Sequence, residues 1–136
     1  MSSAWGSVDT LEPDECLRLL SMVRIGRIGL CTPQGPRVLP VSHAVLDGTV
    51  VFRTGIYTTI ADATRGATVA YEADEIDDRM VSGWSVHVVG RAEHVQDHAT
   101  VADIFERMPE PWAPGPRPLV ARIVPTEMTG RRFRRT

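Results

Sequence analysis

The dipeptide Asp47-Gly48 constrains the fold of this chain more than any other sequence feature. It joins residues 37–46 to residues 49–54, two segments rich in strand-forming residues. Asp-Gly readily adopts the positive φ angles of a two-residue type I′ turn, whose twist matches that of antiparallel strands. The sequence therefore predicts a β-hairpin here, with the two segments as neighbours in an antiparallel sheet.

Four further segments have strand periodicity, so the predicted strands are residues 24–32, 37–46, 49–54, 68–73, 84–95 and 119–124. Gly90 predicts a bulge in the longest of them. Short helices are predicted after Pro13 and Asp97, and one or two helical turns with Thr58 or Thr59 as cap. Strands and helices do not alternate regularly, so we expect one mainly β domain over residues 1–136, a six-stranded antiparallel barrel with short helices on its openings.

Other segments lack a strong pattern. Residues 1–10 are predicted to form a loose arm, and the acidic residues 74–78 a solvated turn. Residues 109–118 contain five prolines in ten residues and predict a stiff extended connector. Residues 126–133 are expected to form a short final segment.

Arginine supplies all fifteen basic residues, and the chain contains no lysine. This excludes chemistry that needs a lysine Schiff base, and any cation that holds a phosphate must be an arginine. The net charge of −2 argues against a polyanion-binding protein. The arginine-rich residues 130–135 leave contact with nucleic acid as a less favoured alternative to a solvated terminus.

Cys16 and Cys31 lack CxxC spacing and predict neither a zinc site nor a disulfide scaffold. The four histidines are interpreted as structural or surface residues rather than metal ligands. No segment approaches the roughly 18 apolar residues of a membrane span or has the flanks of a signal peptide. We therefore expect a cytoplasmic protein without a membrane partner.

The first candidate site is the segment Val51-Phe52-Arg53-Thr54-Gly55 followed by Thr58-Thr59. A strand end would supply a guanidinium and a hydroxyl, and the start of a helical turn would supply two more hydroxyls and free N–H groups. Phosphate monoesters are bound by such donor clusters. The alternative is a hairpin end with a capped helix and a surface arginine.

The second candidate site is the strand segment Arg37-Val38-Leu39-Pro40-Val41-Ser42. Proline removes a ladder donor, so Pro40 predicts an edge or a place where strand pairing is interrupted. Free backbone groups at such a place could bind a planar heterocycle. The alternative is an ordinary edge strand protected against aggregation.

The third candidate site is the strand start at Trp84 and Ser85. An aromatic ring beside Gly83 could stack on a planar ligand or fill an interface between subunits. The alternative, a tryptophan in the core, is equally compatible with the pattern.

Together these segments resemble the pyridoxamine 5′-phosphate oxidase-like flavin-binding proteins of actinobacteria. The resemblance covers nearly the whole chain and rests on the order and spacing of Glu-Cys-Leu-Arg-Leu-Leu (15–20), Val-Arg-Ile-Gly-Arg-Ile (23–28), Leu-Pro-Val-Ser (39–42), Val-Phe-Arg-Thr-Gly (51–55), Gly-Trp-Ser-Val (83–86), Gly-Arg-Ala-Glu (90–93) and Thr-Gly-Arg-Arg (129–132). It implies a split β-barrel that binds FMN and assembles as a two-fold homodimer with two flavins at the subunit interface.

The resemblance also implies a role for each candidate residue. It places the FMN phosphate at Arg53, Thr54, Thr58 and Thr59, with Phe52 in the same cofactor-binding set. It places the flavin ring along Pro40, Val41 and Ser42, and it brings Trp84 and Ser85 to the far side from the neighbouring subunit.

The phosphate loop departs from the family pattern. Relatives commonly carry Gly-Thr-Lys or Gly-Ser-Lys there, whereas this chain has Tyr57-Thr58-Thr59. Loss of a lysine that makes a charged hydrogen bond should weaken phosphate binding by about 1.5–3 kcal/mol. The Tyr57 side chain could also crowd the site, so we expect low flavin affinity.

We interpret the chain as an FMN-dependent oxidoreductase-like protein acting on an unidentified small molecule. True pyridoxamine-phosphate oxidase activity is not expected, because that substrate's phosphate needs a basic pocket of its own. The alternative is a non-catalytic carrier or sensor of a flavin, a deazaflavin or haem, with His43 or His87 as the first candidate haem ligand.

Overall fold

The computed structural model describes residues 2–3, 6–110 and 115–135. Its elements, in chain order, are β1 (Ser2–Ser3), β2 (Gly6–Thr10), α1 (Pro13–Met22), β3 (Ile25–Thr32), β4 (Gly35–Leu46), β5 (Thr49–Thr54), α2 (Thr59–Ala63), β6 (Thr68–Asp77), β7 (Ser82–Val95), α3 (His98–Arg107) and β8 (Leu119–Arg134). None of the helices in these residues is long and apolar enough to cross a membrane.

The six predicted strands form a closed antiparallel barrel. The strand order β8-β5-β4-β3-β6-β7 is closed by pairing of β7 with β8, and every pairing is antiparallel. The sequence-based prediction of a mainly β barrel with short helices is therefore confirmed. A register shift between Val89 and Gly90 confirms the predicted bulge.

The predicted hairpin joins β4 to β5. Asp47 and Gly48 both have positive φ, 52° and 76°, as a type I′ turn requires. This turn sets the register in which His43 faces Phe52 and Leu46 faces Thr49.

Three predictions for the less patterned segments are wrong. Residues 6–10 are not loose, because β2 pairs with Arg131–Arg134 of β8, and β1 pairs in turn with β2. The acidic segment continues β6 to Asp77, since its backbone pairs with β7 while its side chains are mostly exposed. The final segment is part of one continuous β8, so the arginine-rich end is a paired strand and not a frayed terminus.

The helices cover the barrel as the apolar stripes predict. Cys16, Leu19 and Leu20 of α1 are buried in the main core, which fills the barrel. A second apolar cluster lies outside the barrel, where α3 covers Val51 of β5 and Val120 of β8. Successive residues of β5 therefore belong to different layers, because side chains alternate between the faces of a strand.

Candidate functional site

One edge of β4 has no partner among the described strands over residues 35–42, two thirds of its length. Residues 35–42 pair with β3, whereas pairing with β5 begins only at His43. Among the described strands none pairs with the other edge of residues 35–42. Hydrogen bonding alternates between the two sides of a strand, and the His43 N–H donates to Arg24 O on the β3 side at 2.8 Å. The backbone of Pro40 therefore faces the unpaired edge, where its missing N–H costs no ladder bond.

The side chains of this edge alternate between the barrel interior and its outer surface. Val41 is buried and faces the core, while Pro40 is exposed and Ser42 half-buried on the other face. The edge thus offers a peptide backbone, a proline ring and a hydroxyl to a planar ligand. The prediction of interrupted pairing at Pro40 is confirmed.

A buried histidine lies behind this edge. His43 is 2% exposed, with Nε2 2.9 Å from Leu20 O of α1 and Nδ1 hydrogen-bonded to the Tyr71 hydroxyl. A carbonyl oxygen only accepts, so Nε2 carries the proton and neutral His43 accepts from Tyr71 at Nδ1. Burial lowers the pKa of His43 and raises that of Tyr71, which favours this neutral pair.

Arg53 and Thr54 lie on opposite faces of β5. The Arg53 side chain is 12% exposed beneath α3, with its guanidinium carbon 3.8 Å from the centre of the Phe105 ring. Its Nε donates to Arg117 O at 3.1 Å, and Nη1 lies 3.8 Å from the Glu110 carboxylate. Arg53 thus joins α3 and the connector residues Glu110 and Arg117 to the barrel, and the guanidinium donors that bind none of the described residues are the ones left for an anion.

The hydroxyls of Thr54 and Thr58 are engaged with each other, at 2.8 Å. Thr58 is also the cap of α2, since its Oγ1 accepts from the Ala61 N–H at 3.0 Å, as predicted. Thr59 is exposed. Helix α2 has only five residues, so its dipole contributes little to anion binding.

The remaining predicted site residues divide between the core and the surface. Phe52 is fully buried inside the barrel, and Trp84, 7% exposed, belongs to the same core cluster. Ser85 is half-buried and faces outward between Asp74 of β6 and Arg131 of β8. The structure therefore places Trp84 in the core of the barrel, and it does not bring Trp84 and Ser85 to one face.

An open groove of about 420 Å³ runs along the outer face beside β4. Its lining includes the small residues Gly29 and Ala70 and the charged residues Arg27 and Glu72, whose side chains are 3.9 Å apart. Burial, together with the hydrogen bond and negative charge of Asp74, raises the pKa of Glu72 to about 7. Val38 of β4 borders the groove and is 69% exposed.

Sequence reasoning missed two residues of this region. Tyr71 lies in an ordinary strand pattern, and its contact with His43 joins residues 28 positions apart, so no local signal marks it. Arg117 stands in the proline-rich connector, where its carbonyl meets Arg53. An arginine between two prolines is the signal that could have drawn attention to it.

The histidines offer little to a metal in this structure. Both ring nitrogens of His43 are occupied, so it is a poor haem ligand. His87 is exposed on the outer face, and His94 Nε2 lies 3.1 Å from the Thr64 hydroxyl. Within residues 2–3, 6–110 and 115–135, no group of three His, Cys, Asp or Glu side chains is arranged to hold a metal ion.

Comparison with known proteins identifies the family. The sequence profile described as pyridoxamine 5′-phosphate oxidase matches residues 12–132. The Mycobacterium tuberculosis protein Rv0080 is 39% identical over 128 residues, which are 90% of this chain and 84% of that protein. The structure of an FAD-binding protein from Mycobacterium smegmatis, 34% identical, superposes with a TM-score of 0.74 over 94% of this chain and 100% of its own.

A structure from Corynebacterium glutamicum, 31% identical, superposes with a TM-score of 0.82 over 93% of each chain. The profile match, over residues 12–132, includes the three helices and the unpaired β4 edge. The chain therefore belongs to the pyridoxamine 5′-phosphate oxidase family, and its split β-barrel is the fold of these relatives.

Proposed function

We propose that this protein binds FMN at the unpaired edge of β4 and uses it for redox chemistry on a small molecule. The observation that carries the proposal is the edge itself, which leaves the Pro40 carbonyl and the Ser42 N–H without a partner among the described strands. Unpaired backbone donors and acceptors are costly to bury unless a ligand or water satisfies them. The FAD-binding relative from Mycobacterium smegmatis supports a flavin as that ligand.

The residues present fit the flavin better at its ring than at its phosphate. Pro40, Val41 and Ser42 would lie along the ring. At the other end, Thr54 and Thr58 already use their hydroxyls, so the phosphate would depend on Thr59 and the free guanidinium donors of Arg53. Few donors therefore remain for the phosphate, which agrees with the low flavin affinity expected from the missing lysine.

FMN would supply the electron-transfer chemistry when bound. This chain's residues would bind and orient FMN. The backbone of the β4 edge would contact the flavin ring, and Arg53 would provide positive charge for the phosphate. The core residues behind the edge, including the Val41 side chain, exclude water from one side of the strand.

We also propose a cytoplasmic homodimer, in which a second copy covers the outer groove and completes the flavin site. Exposed Val38 and the small residues Gly29 and Ala70 give this face an apolar floor that a flat sheet of another subunit could contact. Trp84 and Ser85 were expected to reach the flavin of the partner; the buried position of Trp84 makes Ser85 the better candidate. Sedimentation velocity tests the assembly, and a monomer at micromolar concentration would contradict it.

The binding test is titration of the purified protein with FMN, FAD, a deazaflavin and riboflavin, followed by flavin fluorescence. We expect FMN to bind more tightly than riboflavin, because only FMN carries the phosphate. Arg53→Ala should weaken FMN binding by about tenfold to a hundredfold, the value of a charged hydrogen bond, and leave riboflavin binding unchanged. Arg18→Ala is the matched control, because the Arg18 side chain lies on the exposed face of helix α1.

Each outcome of this titration has a distinct meaning. If no flavin binds, the proposed function is wrong. If Arg53→Ala weakens FMN and riboflavin equally, Arg53 acts only by holding α3, and the phosphate lies elsewhere. If the deazaflavin binds more tightly than FMN, the deazaflavin and not FMN is the cofactor.

A non-catalytic flavin carrier is the second candidate function. It is favoured by the predicted cofactor-binding set, which contains no side chain able to act as a general acid or base near neutral pH. Reduction of bound FMN by nicotinamide cofactors, followed by reoxidation with quinones or nitro compounds, distinguishes the two. A carrier would show neither reaction above the rate of free FMN.

A further inference from the structure

We propose that His43 and Tyr71 form a positioning pair that fixes the unpaired edge of β4 and thereby determines how firmly a flavin is held there. This inference rests on the proposed function for its second half. Neither residue belongs to the predicted cofactor-binding set, and neither side chain reaches the outer surface of the barrel, since His43 is 2% exposed and Tyr71 is fully buried.

The pair connects the helix to the edge by a chain of hydrogen bonds. It begins at Leu20 O in α1, passes through both ring nitrogens of His43 and reaches the Tyr71 hydroxyl. That hydroxyl also lies 3.2 Å from Val41 O. One hydroxyl proton thus serves two acceptors, the imidazole anchored to α1 and the backbone of β4.

The contact between the Tyr71 hydroxyl and Val41 O matters because of where it meets β4. Val41 lies between Pro40 and Ser42, two residues before His43, at which β4 begins to pair with β5. A strand that has lost one neighbour is held from one side only. The Tyr71 hydroxyl, reaching the strand from inside the barrel, replaces part of the lost support.

Gly26 makes the contact possible. It faces Val41 in the β3–β4 register, and a Cβ at this position would lie 2.5 Å from the Tyr71 hydroxyl oxygen. Any other residue would therefore push the phenol away from the strand. The rings of His43 and Tyr71 meet edge to face, with centroids 5.1 Å apart, so neither can turn without moving the other.

Amide hydrogen exchange of the protein without flavin tests the positioning role. Tyr71→Phe keeps the ring and removes only the hydroxyl, so the barrel should still fold. We expect the amides of Val41 and His43 to exchange about tenfold faster, the effect of one net hydrogen bond, while those of Val50 and Phe52 in β5 change less than twofold (about the error of the method). Equal acceleration in both strands would show a general loss of stability and overturn the proposal.

Tyr57→Phe is the matched control, because Tyr57 is 96% exposed and the substitution removes the same hydroxyl. It should leave the exchange of both strands unchanged. If it accelerates the Val41 and His43 amides as Tyr71→Phe does, the contact with Val41 is irrelevant and the proposal fails.

FMN binding tests the second half of the proposal. We expect Tyr71→Phe to raise the Kd for FMN about tenfold and to change the visible circular dichroism of bound FMN, which reports the asymmetry around the ring. His43→Leu should have a similar effect, and His43→Gln, whose amide can donate to Leu20 O and accept from Tyr71, should restore most of the affinity.

The double variant His43→Leu/Tyr71→Phe should bind FMN no more weakly than the worse single variant, because the two residues act as one unit. Additive losses would contradict this. If the wild-type protein binds no FMN, the proposed function fails by itself, and the exchange measurement still decides whether the pair positions β4. Faster exchange in Tyr71→Phe with unaltered FMN binding would overturn the link to the flavin.

Discussion

Gly26→Ala is the substitution whose effect the structure defines most sharply. The added Cβ would lie 2.5 Å from both Cε2 and the hydroxyl oxygen of Tyr71, and 2.6 Å from Cζ. These distances are about 1 Å shorter than ordinary contacts between such atoms. Tyr71 is fully buried and held by His43, so the ring has little room to withdraw.

The expected loss of stability follows from two terms. Overpacking a filled core costs about 1–3 kcal/mol, and displacing the phenol from its hydrogen bonds costs about 1–3 kcal/mol more. The lower chain entropy of unfolded alanine offsets about 0.5–1 kcal/mol. We therefore expect Gly26→Ala to lower the free energy of unfolding by about 2–4 kcal/mol, or the melting temperature by about 10 °C.

Gly29→Ala in the same strand is the matched control. Its Cβ would meet the Ala70 Cβ at 3.4 Å and the Ala70 O at 3.8 Å, which are ordinary contacts. We expect Gly29→Ala to change the free energy of unfolding by no more than about 1 kcal/mol. The lower chain entropy of unfolded alanine applies here too, but no clash opposes it. Urea unfolding of both variants at one protein concentration, followed by far-UV circular dichroism, measures the two free energies.

The result that refutes the reasoning is a Gly26→Ala variant as stable as Gly29→Ala. A second variant separates the clash from other effects of the substitution. Tyr71→Leu removes the atoms that the new Cβ would touch, so Gly26→Ala should cost much less in that background than in the wild type. An unchanged cost there would show that Tyr71 is not the obstacle.

Two further predictions concern the cap of α2 and the half-buried Glu72. Thr58→Ala should lower the free energy of unfolding by about 1–2 kcal/mol, because it removes the cap of α2 and the partner of the Thr54 hydroxyl. Thr58→Ser keeps the hydroxyl oxygen and should lower that free energy by less than about 0.5 kcal/mol. Equal losses in the two variants would contradict the capping role. Glu72 has a higher pKa in the folded chain, about 7, than its ordinary 4.5, so the folded state binds more protons between these values and its stability falls as the pH rises through them. Glu72→Gln removes the ionisable group, so it should raise the free energy of unfolding more at about pH 8 than at about pH 5. The two effects should differ by only about 1 kcal/mol, because the Glu72 side chain is one-third exposed. Urea unfolding at both pH values measures them, and an effect of Glu72→Gln that does not depend on pH would refute this.

Local patterns in the sequence were sufficient for most of the barrel. The Asp47-Gly48 turn, the period-two segments and the caps at Thr58 and Asp97 act over a few residues, so each could be recognised without knowing the fold. Pro40 indicated the interrupted strand for the same reason, because a missing N–H is a property of the residue itself.

The candidate site was predicted less completely. Strand alternation alone separates Arg53 from Thr54, and the structure places them on opposite faces of β5. Their assignment to one phosphate stays a prediction. Whether Arg53 faced solvent or α3 was not decidable from the strand, since its contacts Phe105 and Arg117 lie 52 and 64 positions away in the chain.

The sequence by itself thus determined where strands, turns and caps form, because these depend on neighbouring residues. The tertiary structure alone decided which strands have free edges and which polar groups meet. It paired the weakly patterned residues 6–10 with β8, and it brought His43 to Tyr71 behind the β4 edge. Such contacts depend on how the barrel closes, and closure joins residues that no local pattern connects.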